Sequence, residues 1–278
     1  MTAAATARRA DPLAGAHVTF GRVLGSEWIK FTSLRSTVWT IAVTLVVMVG
    51  FALLMAWGMS FANEAPAGAE APPMPDGAML GLAAVTTSYG LAQIVMAVWG
   101  VLVISGEYST GQIRSTLTAV PTRLPVLAAK GLLMALASFI VGALGVALSV
   151  LATAPILSSN DMALDLGDSA TQQVLIGVPL YLTGITLLAL GIGALVRHSA
   201  GGIAVVLGLI IVLPILTTIP LDFIDTIAPY FPSAAGERIV MGEMTGAVLT
   251  PWQGYGVFMI YVVAALAAAG VLLRRRDA

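Results

Sequence analysis

Apolar residues run along this chain in long, nearly unbroken blocks, and the charged residues fall between them. Six stretches hold no Asp, Glu, Lys or Arg: 36–63, 77–106, 131–160, 169–196, 198–221 and 244–273. A helix rises about 1.5 Å per residue, so roughly 20 apolar residues cross a hydrocarbon core, and each block is long enough. The pattern predicts spanning helices at Val38–Phe61, Met79–Ser105, Leu124–Leu157, Val174–Val196, Ala200–Leu221 and Tyr255–Leu273. The third is long enough to project into the cytosol. The first block starts behind a polar segment, too late and too long for an ordinary signal peptide. The N-terminus is therefore expected to be retained and cytosolic, although Ser60-Phe61-Ala62 superficially resembles a cleavage site.

Two shorter segments carry helical periodicity without being apolar throughout. Phe20, Leu24, Trp28 and Phe31 recur at steps of four, four and three, with Arg22, Ser26, Lys30 and Ser33 between them. A helix of this kind lies in the membrane interface, aromatics toward the acyl chains and basic residues toward anionic headgroups. It acts either as a mechanical element or as a simple anchor. The second segment follows span two. Gly106 and Gly111 permit turns, Ser109 or Thr110 can cap, Ile113, Leu117 and Val120 form one stripe, and Pro121 stops the helix. This predicts a short helix parallel to the membrane, with Glu107 and Arg114 outward. It is either a force-transmitting element or only a structured loop.

Composition supports the bilayer as solvent, since 58% of the residues are hydrophobic and 10% charged, against about a quarter charged in soluble domains. The net charge of −1 matters less than where the charges fall. An even number of spans puts both termini on one side, and 12 of the 13 basic residues share that side, all but Arg238. By the positive-inside rule the termini are cytosolic. Glu64, Glu70, Asp76, Asp161, Asp165, Asp168, Asp222, Asp225, Glu237 and Glu243 lie opposite, with Pro-rich 65–76 as the first outer loop. Trp39 and Trp57 bracket the first span as interfacial anchors, and Trp99 and Trp252 are read the same way.

Candidate chemistry within the chain is sparse. There is no cysteine, hence no disulfide or thiolate. His17 and His198 have no partners at zinc spacing, so no metal site is expected. No Gly-Lys pair exists, so the phosphate-cradling loop G-x-x-x-x-G-K-[ST] is missing. No ionisable group is expected deep in a span, which argues against a catalytic base and against a proton-coupled carrier. Sodium coupling through main-chain carbonyls stays open. Thr86, Tyr89 and Gln93 fall on one face of span two and require partners. Lys130 is expected to snorkel to headgroups, with reach toward a partner. Gly184, Gly191 and Gly193 in span four, and Gly142 and Gly145 in span three, are expected at close helix contacts, and Pro179 and Pro214 at bends.

Several stretches together resemble the ABC-2 type permease family of ATP-binding cassette exporters, in particular the small stand-alone permeases common in actinobacteria. They are Ser26-Glu27-Trp28-Ile29-Lys30 with Leu34-Arg35-Ser36-Thr37, Gly106-Glu107-Tyr108-Ser109-Thr110-Gly111 with Pro121-Thr122-Arg123 and Ala129-Lys130, residues 197–202, and Pro232-Ser233-Ala234-Ala235-Gly236 with Pro251-Trp252-Gln253-Gly254. The family's usual Gly-Thr after span two reads Gly111-Gln112 here.

The resemblance implies an all-α membrane protein with a cytosolic tail at 1–17, an elbow helix at 18–37 (Phe20, Leu24, Trp28, Phe31) and a six-helix transmembrane domain at 38–278. It also implies a coupling helix within 106–123 that docks a separate ATPase through Glu107, Tyr108, Ile113, Arg114 and Leu117, and an outer hairpin at 222–253 that re-enters the membrane. ATP and Mg²⁺ are then held by that nucleotide-binding partner, with no cofactor or metal in this chain. A second permease copy completes a two-plus-two assembly, a homodimer by preference and otherwise a heterodimer. Spans two and five would line a central cavity through Thr86, Tyr89, Gln93, Leu213 and Thr217, unless those polar groups serve interhelical hydrogen bonds. The expected cargo is an amphipathic or hydrophobic drug, antibiotic, peptide or lipid, with no nucleic acid involved. The competing class is a membrane scaffold or sensor that docks an ATPase without transport.

Overall fold

The computed structural model describes residues 19–63, 77–120, 123–217, 219 and 221–275. The expected tail at 1–17, the outer loop at 65–76, and Pro121, Thr122 and Arg276 lie outside the described residues. Among the described residues there is no strand. The helices are α1 (Phe20–Ser33), α2 (Arg35–Asn63), α3 (Gly77–Thr86), α4 (Tyr89–Ser109), α5 (Gln112–Ala119), α6 (Leu124–Ser159), α7 (Ser169–Val196), α8 (Ser199–Leu207), α9 (Leu213–Leu216), α10 (Asp222–Ile227), α11 (Pro232–Met241) and α12 (Pro251–Arg275). Six helical stretches are long and apolar enough to cross a membrane: Arg35–Phe61, Gly77–Ser109, Leu124–Ser159, Ser169–Val196, Ser199–Leu216 and Pro251–Arg275. The chain is thus a multi-pass membrane protein, with spans where the charge-free blocks predict them.

Two spans are less regular than expected. Span two breaks at Thr87–Ser88 into α3 and α4. The Thr87 and Ser88 hydroxyls bond back to the carbonyls of Ala83 and Val85, a competition with the main-chain ladder that bends helices. Span five widens into a π-turn over Gly208–Val212, where the Leu213 N–H reaches the Gly208 carbonyl, directly before Pro214. Proline has no N–H to offer and the ladder widens ahead of it; the described helix of this span ends at Leu216, and Thr218 and Pro220 lie outside the described residues.

The bundle is built around α7. Of its most apolar stretch 72% is buried, against 17% for the first and fifth spans, which sit at the periphery. It packs against α4, α6, α11 and α12. Small residues permit this: a Cβ at Gly100 of α4 would collide with the Thr186 carbonyl, and one at Gly184 with the Phe258 ring. The other predicted glycines also sit at helix contacts, with Gly142 on Pro179, Gly145 on Met48, Gly191 on Ala265 and Gly193 on Ile104. At one end of the bundle, Arg123 Nη1 donates to the Leu273 carbonyl at 2.9 Å, tying the start of α6 to the end of α12. The helix α1 packs against α6 at the same end. At the other end, α11 is held against α7 and α12.

Candidate functional site

The inward face of α1 carries a buried charge among apolar residues. Thr19 caps the helix, and one turn apart Val23 and Glu27 are buried. Phe20 and Trp28 of the predicted stripe are exposed, whereas Leu24 and Phe31 are half-buried. Glu27 stands at the centre of four charges drawn from three helices. Its Oε1 accepts from Lys30 Nζ at 2.7 Å and its Oε2 from Lys130 Nζ at 2.6 Å. Glu107 Oε1 takes the same two ammoniums, Lys30 at 3.1 Å and Lys130 at 3.0 Å. Two carboxylates and two ammoniums close a neutral ring. Burial of Glu27 raises its pKa, but Lys130 and Lys30 beside it outweigh that and hold the carboxyl below its ordinary value. Burial likewise opposes the charge on Lys30, and Glu27 and Glu107 more than reverse it, so its pKa is raised.

This ring corrects four expectations. Glu107 does not face outward: it is 7% exposed and paired. Lys130 does not snorkel but is 4% exposed. Lys30 is turned to the ring rather than to headgroups. Trp99 is buried against Phe31, with ring centroids 5.7 Å apart, and does not belong to an aromatic belt, while Trp39, Trp57 and Trp252 are exposed as belt residues require. In each charged case the reason is electrostatic. Opposite charges on neighbouring helices neutralise one another, which removes most of the cost of burial.

The ring also reaches α5. Lys30 Nζ donates to Thr116 Oγ1 at 3.0 Å. The chain enters α5 through Gly111 at φ 73°, a left-handed turn that glycine adopts freely. Ile113 is buried in the main core, and Val120 packs with Val23, Val126 and Ala129. Arg114 and Leu117 lie on α5, with their side chains outside the described set. Tyr108 is half-buried beneath the Arg197 guanidinium, 5.2 Å from its ring centroid, at the α7–α8 turn. Ser105 and Ser199 hydroxyls meet at 2.9 Å in the same region. Thus α5 is fastened to α1, α4 and α6 rather than hanging as a loose connection. Beside the ring is a cavity of about 390 Å³ walled by Phe31, Thr37, Trp99, Glu107, Lys130 and Met134, among others.

A second polar cluster lies between α4, α7 and α11. The Tyr181 hydroxyl donates to Gln93 Oε1 at 2.7 Å, and its ring meets Tyr89 edge-on at 5.5 Å. Gln93 is therefore bonded to span four, as the interhelical alternative expects. Thr86 spends its hydroxyl on the Leu82 carbonyl. Leu213 is half-buried, and Thr217 lines a different cavity, of about 430 Å³, together with Pro214 and Glu237. Glu237 comes from α11, and its Oε1 lies 3.5 Å from the Tyr181 hydroxyl. Burial pushes its carboxyl up to about 7, only partly offset by that hydroxyl. Glu237 is half-buried, unlike the exposed Asp161, Asp165 and Asp222 grouped with it by sequence.

Three participants escaped the sequence reading in these roles: Glu27, Tyr181 and Glu237. The signal for Tyr181 was available, because a buried Tyr hydroxyl needs a partner and Gln93 needs one too. Among the described residues no group of three or more His, Cys, Asp or Glu could hold a metal, and His198 Nδ1 caps α8 through the Gly201 N–H. No family model matches the chain, and a search of curated proteins gives no match.

Proposed function

We propose that this chain is the membrane-spanning permease subunit of an ABC-2 type exporter, driven by ATP hydrolysis on a separate nucleotide-binding subunit. The observation that supports it most is the fastening of α5. A short helix tied to a neutral ion ring through Lys30–Thr116, and to apolar clusters through Ile113 and the adjoining Val120, is a stiff lever. A push on α5 is delivered to α4 through Gly111 and to α6 and α1 through the ring, whose geometry bonds of 2.6–3.1 Å hold. A loosely hinged loop would dissipate such a push.

In this reading α5 is the coupling helix that receives the ATPase, and α1 is the elbow, its exposed Phe20 and Trp28 set into the inner leaflet. The termini are cytosolic, the membrane is the cell membrane, and α10–α11 form the re-entrant outer hairpin. ATP and Mg²⁺ sit on the partner. Two copies of the chain assemble with two ATPases, and the cargo is an amphipathic or hydrophobic molecule. The test is reconstitution in liposomes with a co-purifying ATPase. Candidate cargoes should stimulate hydrolysis and move vectorially. ATP hydrolysis by the purified chain alone, or tight ATPase docking without movement of any cargo, would overturn the proposal, the latter in favour of a scaffold.

A further inference from the structure

Among the described residues Glu237 has no ion-pair partner. It is drawn into the bundle by α11, whose Gly236 lies against Tyr181 and Phe258 and whose Ile239 carbonyl lies against Gly177. One carboxylate oxygen faces the Tyr181 hydroxyl at 3.5 Å, and among the described residues the other has no partner. The adjacent Arg238 does not neutralise it. That guanidinium is spent on the Leu249 and Gly242 carbonyls, each at 3.2 Å, and on the Met244 sulfur at 3.1 Å. Arg238 thereby pins the 242–249 loop as one wall of the 430 Å³ cavity that Glu237 lines.

The other walls are mainly apolar, with Pro214, Pro229, Phe231 and Met241 among them. Ser233, fully buried in the same wall, has a hydroxyl with no hydrogen-bond partner. A half-buried, uncompensated carboxylate is costly unless it binds a proton or pairs with a cation. A cavity of this size accommodates a small organic molecule.

We infer that the cavity between α9, α11 and the 242–249 loop is a binding site for amphipathic organic cations, with the Glu237 carboxylate pairing with the ligand's ammonium and the apolar walls taking its body. As an account of cargo this rests on the exporter reading. The binding itself does not, and is measurable on the permease alone.

The probes are a matched series, 4-phenylbutylammonium, 4-phenylbutanol and 4-phenylbutyrate, titrated calorimetrically against the full chain in nanodiscs at pH 8.5, where Glu237 is ionised. The ammonium should bind at least about tenfold more tightly than the alcohol, and the carboxylate most weakly. In E237Q the ammonium should fall to the alcohol's affinity while the alcohol is unchanged. E237D should keep a reduced preference. Equal binding of ammonium and alcohol by the wild type, no binding of any probe, or a preference that survives E237Q would each overturn the assignment. Vectorial transport of uncharged cargo only, by a permease lacking this preference, would leave the exporter reading standing and remove the cation site. Cation binding by a chain that transports nothing would do the reverse.

Discussion

Replacing Glu107 with Gln removes one of the two carboxylates that hold Lys30 and Lys130, at 3.1 and 3.0 Å. The ring then carries a net positive charge, with two ammoniums sharing Glu27. Breaking a buried pair by removing one partner costs about 3–5 kcal/mol, because the remaining charge stays buried and uncompensated. Lys30 keeps a side-chain exposure of 22%, so some of that charge escapes to water and the lower end of the range applies. Replacing Lys130, whose side chain is 5% exposed, with Met leaves two carboxylates on Lys30 and should cost at least as much. The double variant E107Q/K130M is neutral again, with Glu27 and Lys30 still paired at 2.7 Å. Its loss should therefore be near that of one single variant. The expected coupling energy is therefore about 3 kcal/mol. The assay is unfolding of the chain in nanodiscs at fixed scan rate, backed by denaturant titration, since membrane proteins often unfold irreversibly. Additivity of the two single losses to within about 0.5 kcal/mol would refute the ring as a coupled unit.

Four further outcomes follow, three from other contacts and the last from the ring itself. Q93L leaves the Tyr181 hydroxyl without its 2.7 Å acceptor and should destabilise by about 1–3 kcal/mol, whereas Q93L/Y181F should recover much of this in the same unfolding assay. G177A places a methyl group against the Ile239 carbonyl and should cost at least about 1–3 kcal/mol, detected as faster proteolysis of the segment around α11. Glu237 is raised from 4.5 to about 7 in the fold, so the native state holds its proton longer than the unfolded chain. Stability should therefore fall as pH rises through that window, by at most about 3 kcal/mol, and E237Q should flatten the profile. The ring has the opposite logic. Glu27 is lowered from 4.5 and Lys30 raised from 10.5, so its contribution is full between those values, lost in acid as pH falls through the depressed Glu27 pKa, and lost in alkali as pH rises through the elevated Lys30 pKa.

The spans were legible because a bilayer constrains them so simply: each needs length and freedom from charge, and both are one-dimensional properties of a sequence. The same rule misplaced the residues that matter most. It treats every charge as the edge of a span and hence as solvated, which holds for Arg274 or Asp168 but not for Glu27, Lys30, Glu107 and Lys130. Those four are tolerable inside only as a set, and membership of the set depends on α1 folding back against α6. That is a tertiary fact. A trace of it was present, since Glu27 and Lys30 are one turn apart and Lys130 stands alone in an apolar run. The break at Thr87–Ser88 had a local signal, three hydroxyl side chains before Tyr89, yet hydropathy does not register hydroxyl back-bonding. Gln93 was recognised as needing a partner, but Tyr181 could be chosen only once Gly100 let α4 lie directly on α7. Glu237 followed the same course. Between a proline-rich turn and a glycine-rich loop it reads as solvated, and it becomes a half-buried acid because Gly177 and Gly236 let α11 sink against α7. The Gly177 and Gly236 contacts are what bring Glu237 inside, and a mutation at Gly177 should therefore shift the titration of Glu237 as well as the stability of the bundle.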